Sequence, residues 1–538
     1  MQETGTRNAE SGAAAFGLDG SGIVFWNLTE AALYERSIAR GETRLSAAGT
    51  LTVETGPTAT SLQDRYIVRE DVSEAEVWWG ANQPIGREAY DTLRADLLVY
   101  AAGRSLFAQD LFAGAEPAYR VNVRAYCECA WQGLFLRTML RRPEREELAD
   151  FIPALTVLSI PGFKADPERH GVRSQAVIAL DLARGEVLAC GTLNAAELKK
   201  AVFGYLTHVL PARGVLPLHG AVTVGENGDA ALYLGLAGTG KTTLAVDDAR
   251  TLIGDDEHGW GPSGLFNIEG GCHVSAARLS AAATPELFTA ANRFGTVLEN
   301  VALNGETREP NYAGAHMSNA RATFPLEAMP HASLSGRAAA PRTLLMLACD
   351  TEGVLPPIAR LNPVIAMYHF LSGYSARWPG AEKDGPQGAQ PETTFSPCYG
   401  APFLTRHPSV YANQLRALIE RNEVTCWLVN TGFVGGPAGT GRRVPLALTR
   451  RLVEAAISGA LGEADSRTDP YFGFSVPTSF PGFEPQMLNP ARNWPDIKSY
   501  EAAARRLAGR FVENFERFEE AVDEEVRDAC PRLAIAAE

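Results

Sequence analysis

The chain has 538 residues, 46% of them hydrophobic, and a formal net charge of -14 at pH 7. That length and apolar content suffice for a large core and predict two or three domains. The acidic balance, with no basic stripe to override it, argues against a nucleic-acid partner, because a phosphate backbone would be repelled.

From the N-terminus, Met1 to Gly20 lacks a basic stretch followed by an apolar one, and no apolar run approaches the length of a bilayer. A cytoplasmic protein without a membrane partner is expected. Eight cysteines are scattered rather than arrayed as a disulfide framework, which suits a reducing compartment. Cys127 and Cys129 form C-x-C with no second half nearby, and the alternation along Tyr119 to Cys127 predicts a strand, so both are assigned to packing and no zinc site is expected. Gln175 to Leu180 and Glu186 to Cys190 predict further strands, and the first half is an α/β or α+β domain. Ala195 to Leu210 has helical spacing at Leu198, Val202, Tyr205 and Leu206, and carries Lys199 and Lys200.

Ala230 to Leu234 predicts a buried strand running into Gly235, Leu236, Ala237, Gly238, Thr239, Gly240, Lys241, Thr242 and Thr243, which fit the phosphate loop G-x-x-x-x-G-K-[ST]. Its glycines let backbone amides curl around phosphate oxygens, Lys241 supplies a compact positive charge, and the Thr242 hydroxyl reaches a magnesium ion. Thr242 to Val246 is expected to open a helix. Nearby, Gly254-Asp-Asp-Glu-His-Gly-Trp260 adds carboxylates and an imidazole; together the two segments predict a nucleoside triphosphate and a divalent metal held for phosphoryl transfer. Trp378 to Thr394, polar and rich in breakers, is expected to be a mobile surface loop, with a lid as its functional reading. Ser499 to Val526 is helical by pattern and assigned to packing.

The phosphate loop, Leu252-Ile-Gly-Asp-Asp-Glu-His-Gly-Trp260, Phe266-Asn-Ile-Glu-Gly-Gly-Cys272, Gly353-Val-Leu-Pro-Pro357 and Tyr368-His-Phe-Leu-Ser-Gly373 resemble, in colinear order, the ATP-dependent phosphoenolpyruvate carboxykinases. The resemblance runs from about Tyr66 to about Phe515 and is most specific between Leu198 and Arg450. It implies a bilobal mixed α/β enzyme: an organic-acid domain over residues 1–215, and a nucleotide and metal domain over 216–538 with the lid near 378–394. The implied reaction converts oxaloacetate and ATP to phosphoenolpyruvate, ADP and carbon dioxide, reversibly, with ATP, Mg2+ and Mn2+ as cofactors, in a monomer or small homo-oligomer.

By the same resemblance, Thr242 binds a magnesium ion with the β and γ phosphates, and Lys200, His219 and Asp256 hold a manganese-type ion. Lys200 must then be neutral, since an ammonium has no lone pair to donate. Asp255 organises metal-bound water, Lys199 bridges substrate and γ-phosphate, and Arg321 neutralises the transferring phosphoryl group. Gly439-Thr-Gly-Arg-Arg443 and Thr449 pack around adenine and ribose. Taken singly, these residues have plainer readings: a solvated helix face for Lys199 and Lys200, a strand-start histidine for His219, and a turn for Asp255 and Asp256.

Departures from the family pattern cluster on the substrate side. Thr58-Ala-Thr-Ser-Leu-Gln-Asp-Arg-Tyr66 stands where the family has T-G-R-S-P-K-D-K-Y, so Thr60 replaces a carboxylate-gripping arginine. Arg65, about 16 Å along an extended chain, substitutes only if the loop is rebuilt. Asn194-Ala-Ala-Glu-Leu-Lys-Lys200 replaces a tyrosine by Asn194, Leu218-His-Gly-Ala-Val-Thr223 keeps the histidine but changes its neighbours, and Ala237 stands where serine is common. Two alternatives to the carboxykinase reaction follow: a repurposed kinase whose different acid meets Thr60 and Asn194, and a noncatalytic ATP-binding regulator.

Overall fold

The computed structural model describes residues 1–56, 62–236, 238–313, 319–377, 391–483 and 485–533. Thr60, Ala237 and residues 378–390 of the expected lid lie outside the described residues. Contacts group the chain into two compact units, one of Met1–Arg213, Phe266–Gly336 and Pro402–Arg406, the other of Gly214–Leu265, Arg337–Ala401 and His407–Glu538. Both units are mixed α/β. The chain leaves the first unit after Arg213 and returns to it for Phe266–Gly336 and Pro402–Arg406.

The first unit is built on a nine-stranded mixed sheet. Its order is Gln2–Gly5, Ile23–Trp26, Leu106–Ala113, Val121–Cys127, Leu155–Ile160, Glu186–Cys190, Val177–Asp181, Arg65–Arg69 and Gln83–Gly86. The central strands are buried on both faces, so Val121–Cys127 shows almost continuous burial in place of the expected alternation. Helix Ala130–Met139 is apolar nearly all round, and it packs against strand Leu106–Ala113 as well as strands Arg321–Pro325 and Gly271–Ser275 of a five-stranded sheet. Helix Arg87–Ala101 presents Tyr90, Leu93, Leu97 and Ala101 to the core around Leu158, Ala179 and Leu188.

Eight strands of the second unit's sheet run, in order, Glu257–Gly261, Leu216–Val224, Ala230–Leu234, Thr343–Ala348, Thr425–Asn430, Ile358–Leu361, Ser475–Pro477 and Ser466–Thr468. Ala230–Leu234, Thr343–Ala348 and Thr425–Asn430 run parallel and are fully or almost fully buried. The expected C-terminal helix is one long helix, Ile497–Phe515, that gives way to a 3-10 turn and a short helix, Glu524–Asp528. Its Phe511 and Phe515 join Tyr368, His369 and Tyr374 in an aromatic core. The end of the expected lid loop is not loop: Glu392–Phe395 is a strand paired with Tyr374–Arg377 in a two-stranded sheet. Among the described residues no helix is long and apolar enough to cross a membrane.

The turn that delivers the lysine-bearing helix is sterically demanding. Strand Glu186–Cys190 ends at Gly191, whose φ is +68 and whose hypothetical Cβ would lie 2.1 Å from the Gln175 carbonyl oxygen. Five residues later helix Ala196–Val209 begins. Gly191→Ala combines a left-handed alanine with a backbone clash and is expected to destabilise the first unit by about 2 kcal/mol or more, read as a lowered urea midpoint.

Candidate active site

In the second unit, strand Ala230–Leu234 delivers the phosphate loop. Gly238 and Gly240 have φ of 93 and 100, which a residue with a Cβ adopts only under strain. The helix that follows is Lys241–Ala245, one residue earlier than expected and only five residues long. Thr239 donates its hydroxyl to the Leu236 carbonyl at 2.8 Å, bracing the loop across its width.

Strand Leu216–Val224 carries His219 in its interior rather than at its start, directly opposite Glu257 in the antiparallel register. Cross-strand partners share a face, so imidazole and carboxylate meet. Asp255 and Asp256 form the turn between Thr251–Gly254 and Glu257–Gly261, and Gly220 fixes it: its N–H donates to the Asp256 carbonyl at 2.6 Å, and its own carbonyl lies 2.7 Å from His258 Nδ1. His219 Nδ1 lies 3.1 Å from Asp256 Oδ1 and 3.3 Å from Glu257 Oε1. Lys241 donates its ammonium to the Gly235 carbonyl at 2.7 Å and contacts His219 Nε2 at 2.8 Å, with Asp256 Oδ1 at 3.8 Å. An accepting Nε2 assigns the ring proton to Nδ1, toward the carboxylates. Thr242 directs its hydroxyl to Asp255 Oδ2 at 3.4 Å.

One ligand atom each from His219, Asp256 and Glu257 lies within 4.8 Å of the others. An imidazole with two carboxylates is a donor set suited to Mn2+ and related divalent ions, so the residues fit the expected metal. Sequence reasoning missed Glu257; its signal was the third acid in Asp-Asp-Glu, hidden by a turn that ends one residue earlier. Farther along the same unit, Arg443 donates to the Thr431 carbonyl at 3.1 Å, while Thr449 is buried on helix Leu446–Ile457.

The first unit holds the other expected residues. On helix Ala196–Val209, Glu197 and Lys200 stand three apart and therefore share a face. Lys200 Nζ donates to Glu197 Oε1 at 2.9 Å, and Arg65 pairs with the same carboxylate through Nε at 2.6 Å and Nη2 at 3.0 Å. Arg65 is thus engaged by a buried acid. Burial opposes ionisation of Glu197, but Lys200 and Arg65 outweigh it and bring the carboxyl down to about 2. Partial enclosure lowers Lys200 from the ordinary lysine range, with Arg65 and Arg321 adding to the shift and Glu197 opposing it. That direction favours the neutral amine a metal ligand needs.

Lys199 points elsewhere on the same helix, to Glu269 at 2.7 Å, both side chains being buried. Asn194 lies just before the helix, where its carbonyl accepts from the Glu197 N–H at 3.2 Å. Arg321 opens strand Arg321–Pro325 and stands opposite Glu299 and Ser275. The acids Glu197, Glu269 and Glu299 were not singled out from the sequence. Only Glu197 had a readable signal, its place three residues before Lys200.

The Glu197 carboxyl sits below its ordinary 4.5, so it contributes stability that is complete above about pH 4.5 and is lost as pH falls toward 2. Glu197→Gln is expected to flatten the dependence of the urea midpoint on pH across that window, and to lower the midpoint at neutral pH by leaving Arg65 and Lys200 without their anion.

The phosphoenolpyruvate carboxykinase family matches residues 22–486. Similar proteins include the phosphoenolpyruvate carboxykinase (ATP) of Azorhizobium caulinodans, 53% identical over 540 residues, and that of Methylobacterium nodulans, 52% identical over 539 residues, each alignment spanning 100% of both chains. The enzyme of the same name from Rhodopseudomonas palustris is 51% identical, again over 100% of both chains. With the phosphate loop, the histidine and carboxylate cluster and the paired lysines in family order, the chain belongs to the ATP-dependent phosphoenolpyruvate carboxykinase family.

Proposed function

We propose that the chain converts oxaloacetate and ATP to phosphoenolpyruvate, ADP and carbon dioxide, reversibly. The observation that carries this reading is the meeting of Lys241 of the phosphate loop with the His219, Asp256 and Glu257 cluster, which puts a phosphate-binding cation and a metal-binding set side by side. The first unit then binds the organic acid, and the second binds nucleotide and metal.

When bound, the divalent cations supply positive charge at the phosphate and acid oxygens. Thr242 would hold Mg2+ with the nucleotide, and His219, Asp256 and Glu257 of the second unit would hold Mn2+; Lys200 of the first unit, lowered toward its neutral amine, is a further candidate donor. The chain's own residues do the positioning. Gly235, Leu236, Gly238, Thr239 and Gly240 curl the backbone around the phosphates, and Lys241 exchanges its contact with His219 for the outer phosphate oxygens. Asp255 orients the Thr242 hydroxyl. Arg321 offsets charge on the phosphoryl group in transit, and Lys199 bridges acid and phosphate. Arg443 and Thr449 hold the adenine and ribose. Asn194 meets the acid by neutral hydrogen bonds, and Arg65, tied to Glu197, takes no part in gripping its carboxylates. Among the described residues, no specific contact in either unit favours a different acid or a noncatalytic role.

The test is an assay with ATP, oxaloacetate, Mg2+ and Mn2+, following phosphoenolpyruvate and ADP by mass. Both products are expected in equal amounts; wild-type protein that forms no phosphoenolpyruvate overturns the proposal. Lys241→Ala is expected to lower turnover at least about a hundredfold with an unchanged urea midpoint. Asp256→Asn should weaken Mn2+ binding at least about tenfold, measured by electron paramagnetic resonance of the free ion.

A further inference from the structure

Strand Val297–Glu299 is a middle strand of the first unit's five-stranded sheet, antiparallel to Arg321–Pro325 on one side and parallel to Leu51–Val53 on the other. Its first two residues, Val297 and Leu298, are fully buried, and a third apolar residue would continue the pattern. Glu299 stands there instead, 2% exposed, and its Oε1 has no hydrogen-bond partner among the described residues. Leaving a carboxylate oxygen in that condition is costly, so a sheet tolerates it only where something else is gained.

The register names what is gained. Glu299 is the direct cross-strand partner of Arg321, which puts their Cβ atoms about 5 Å apart on one face of the sheet. Burial pushes the Glu299 carboxyl up to about 7, and the two cations that act against burial are Arg321 and Lys200. The next residue locks the strand end. Asn300, at φ 56, accepts the Thr55 N–H at 3.0 Å and donates to the Thr55 hydroxyl at 2.8 Å and to the Asn319 carbonyl at 3.3 Å.

We infer that Glu299 is a positioning residue: its carboxylate fixes the place and direction of the Arg321 guanidinium on the sheet face they share, and thereby sets the phosphoryl-transfer rate. The inference rests on the reading of Arg321 given under the proposed function. Glu299 is assigned no contact with nucleotide or acid. Its effect passes through Arg321, and the fold gives up stability to keep it.

Three measurements on Glu299→Gln test this. Turnover is expected to fall about tenfold to a hundredfold, while KM for ATP and for oxaloacetate changes less than about twofold, since a displaced catalytic group costs rate more than binding. The urea midpoint is expected to hold or rise, because a buried carboxylate has been replaced by a neutral isostere. In arginine-labelled protein, the guanidinium resonance assigned to Arg321 by its loss in Arg321→Lys is expected to shift and narrow as the side chain gains rotational freedom. Glu299→Asp should recover part of the turnover.

Unchanged turnover in an active enzyme, a loss of turnover matched by a lowered midpoint, or an unmoved Arg321 resonance each overturns the inference. If wild-type protein forms no phosphoenolpyruvate while the Arg321 resonance still responds to Glu299→Gln, the carboxykinase reading fails and the placement of Arg321 by Glu299 stands.

Discussion

One glycine holds the metal side of the second unit together. At Gly220 the strand Leu216–Val224 passes from pairing with Glu257–Gly261 to pairing with Thr251–Gly254, while keeping Ala230–Leu234 on its other edge. A Cβ there would lie 2.6 Å from the Tyr233 carbonyl oxygen, so the strand leading to the phosphate loop packs against bare backbone. The same residue binds the Asp256 carbonyl and faces His258, which fixes the turn bearing both aspartates. Its predecessor, His219, consequently meets Glu257, Asp256 and Lys241 together.

The first unit solves a different electrostatic problem. It gathers Arg65, Lys199, Lys200 and Arg321 near Glu197, Glu269 and Glu299, and all three acids are 2% exposed. Glu197 and Glu269 each pair with a basic residue, and Glu299 stands opposite Arg321 in the strand register. Buried ion pairs of this kind add little net stability, because desolvation offsets most of their attraction. What they provide is direction: a long lysine or arginine side chain, with many rotamers in water, is confined to a few. The cost is borne by the apolar packing of the nine-stranded sheet and of helix Ala130–Met139.

Sequence reasoning was strongest where backbone geometry demands particular residues. The glycines of the phosphate loop, the strand entering it and the helix carrying Lys199 and Lys200 were legible, since each rests on a local rule of spacing or conformation. Strand Val121–Cys127 was placed but its environment was not, because alternation describes a one-sided sheet and this strand is covered on both sides. The long helix was extended past Phe515, where charge and apolar spacing continue but the backbone tightens into a 3-10 turn. Glu257, Glu269 and Glu299 were invisible for a common reason. Their importance comes from strand register or from a contact distant in sequence, and neither leaves a mark on a single chain.

The return of the chain to its first unit also bears on synthesis. Pro402–Arg406 belongs to that unit, where the Thr405 carbonyl accepts from the Trp78 N–H at 2.7 Å and the Phe403 carbonyl accepts from the Thr207 hydroxyl, also at 2.7 Å. Strand Arg321–Pro325 is likewise made after the phosphate loop. A ribosome adding roughly 5 to 20 residues each second reaches this last piece tens of seconds or less after Arg213 has emerged. Through that interval the segment that meets Trp78 and Thr207 has yet to be made, so the nascent first unit is a fold with an open seam that only a later segment can close.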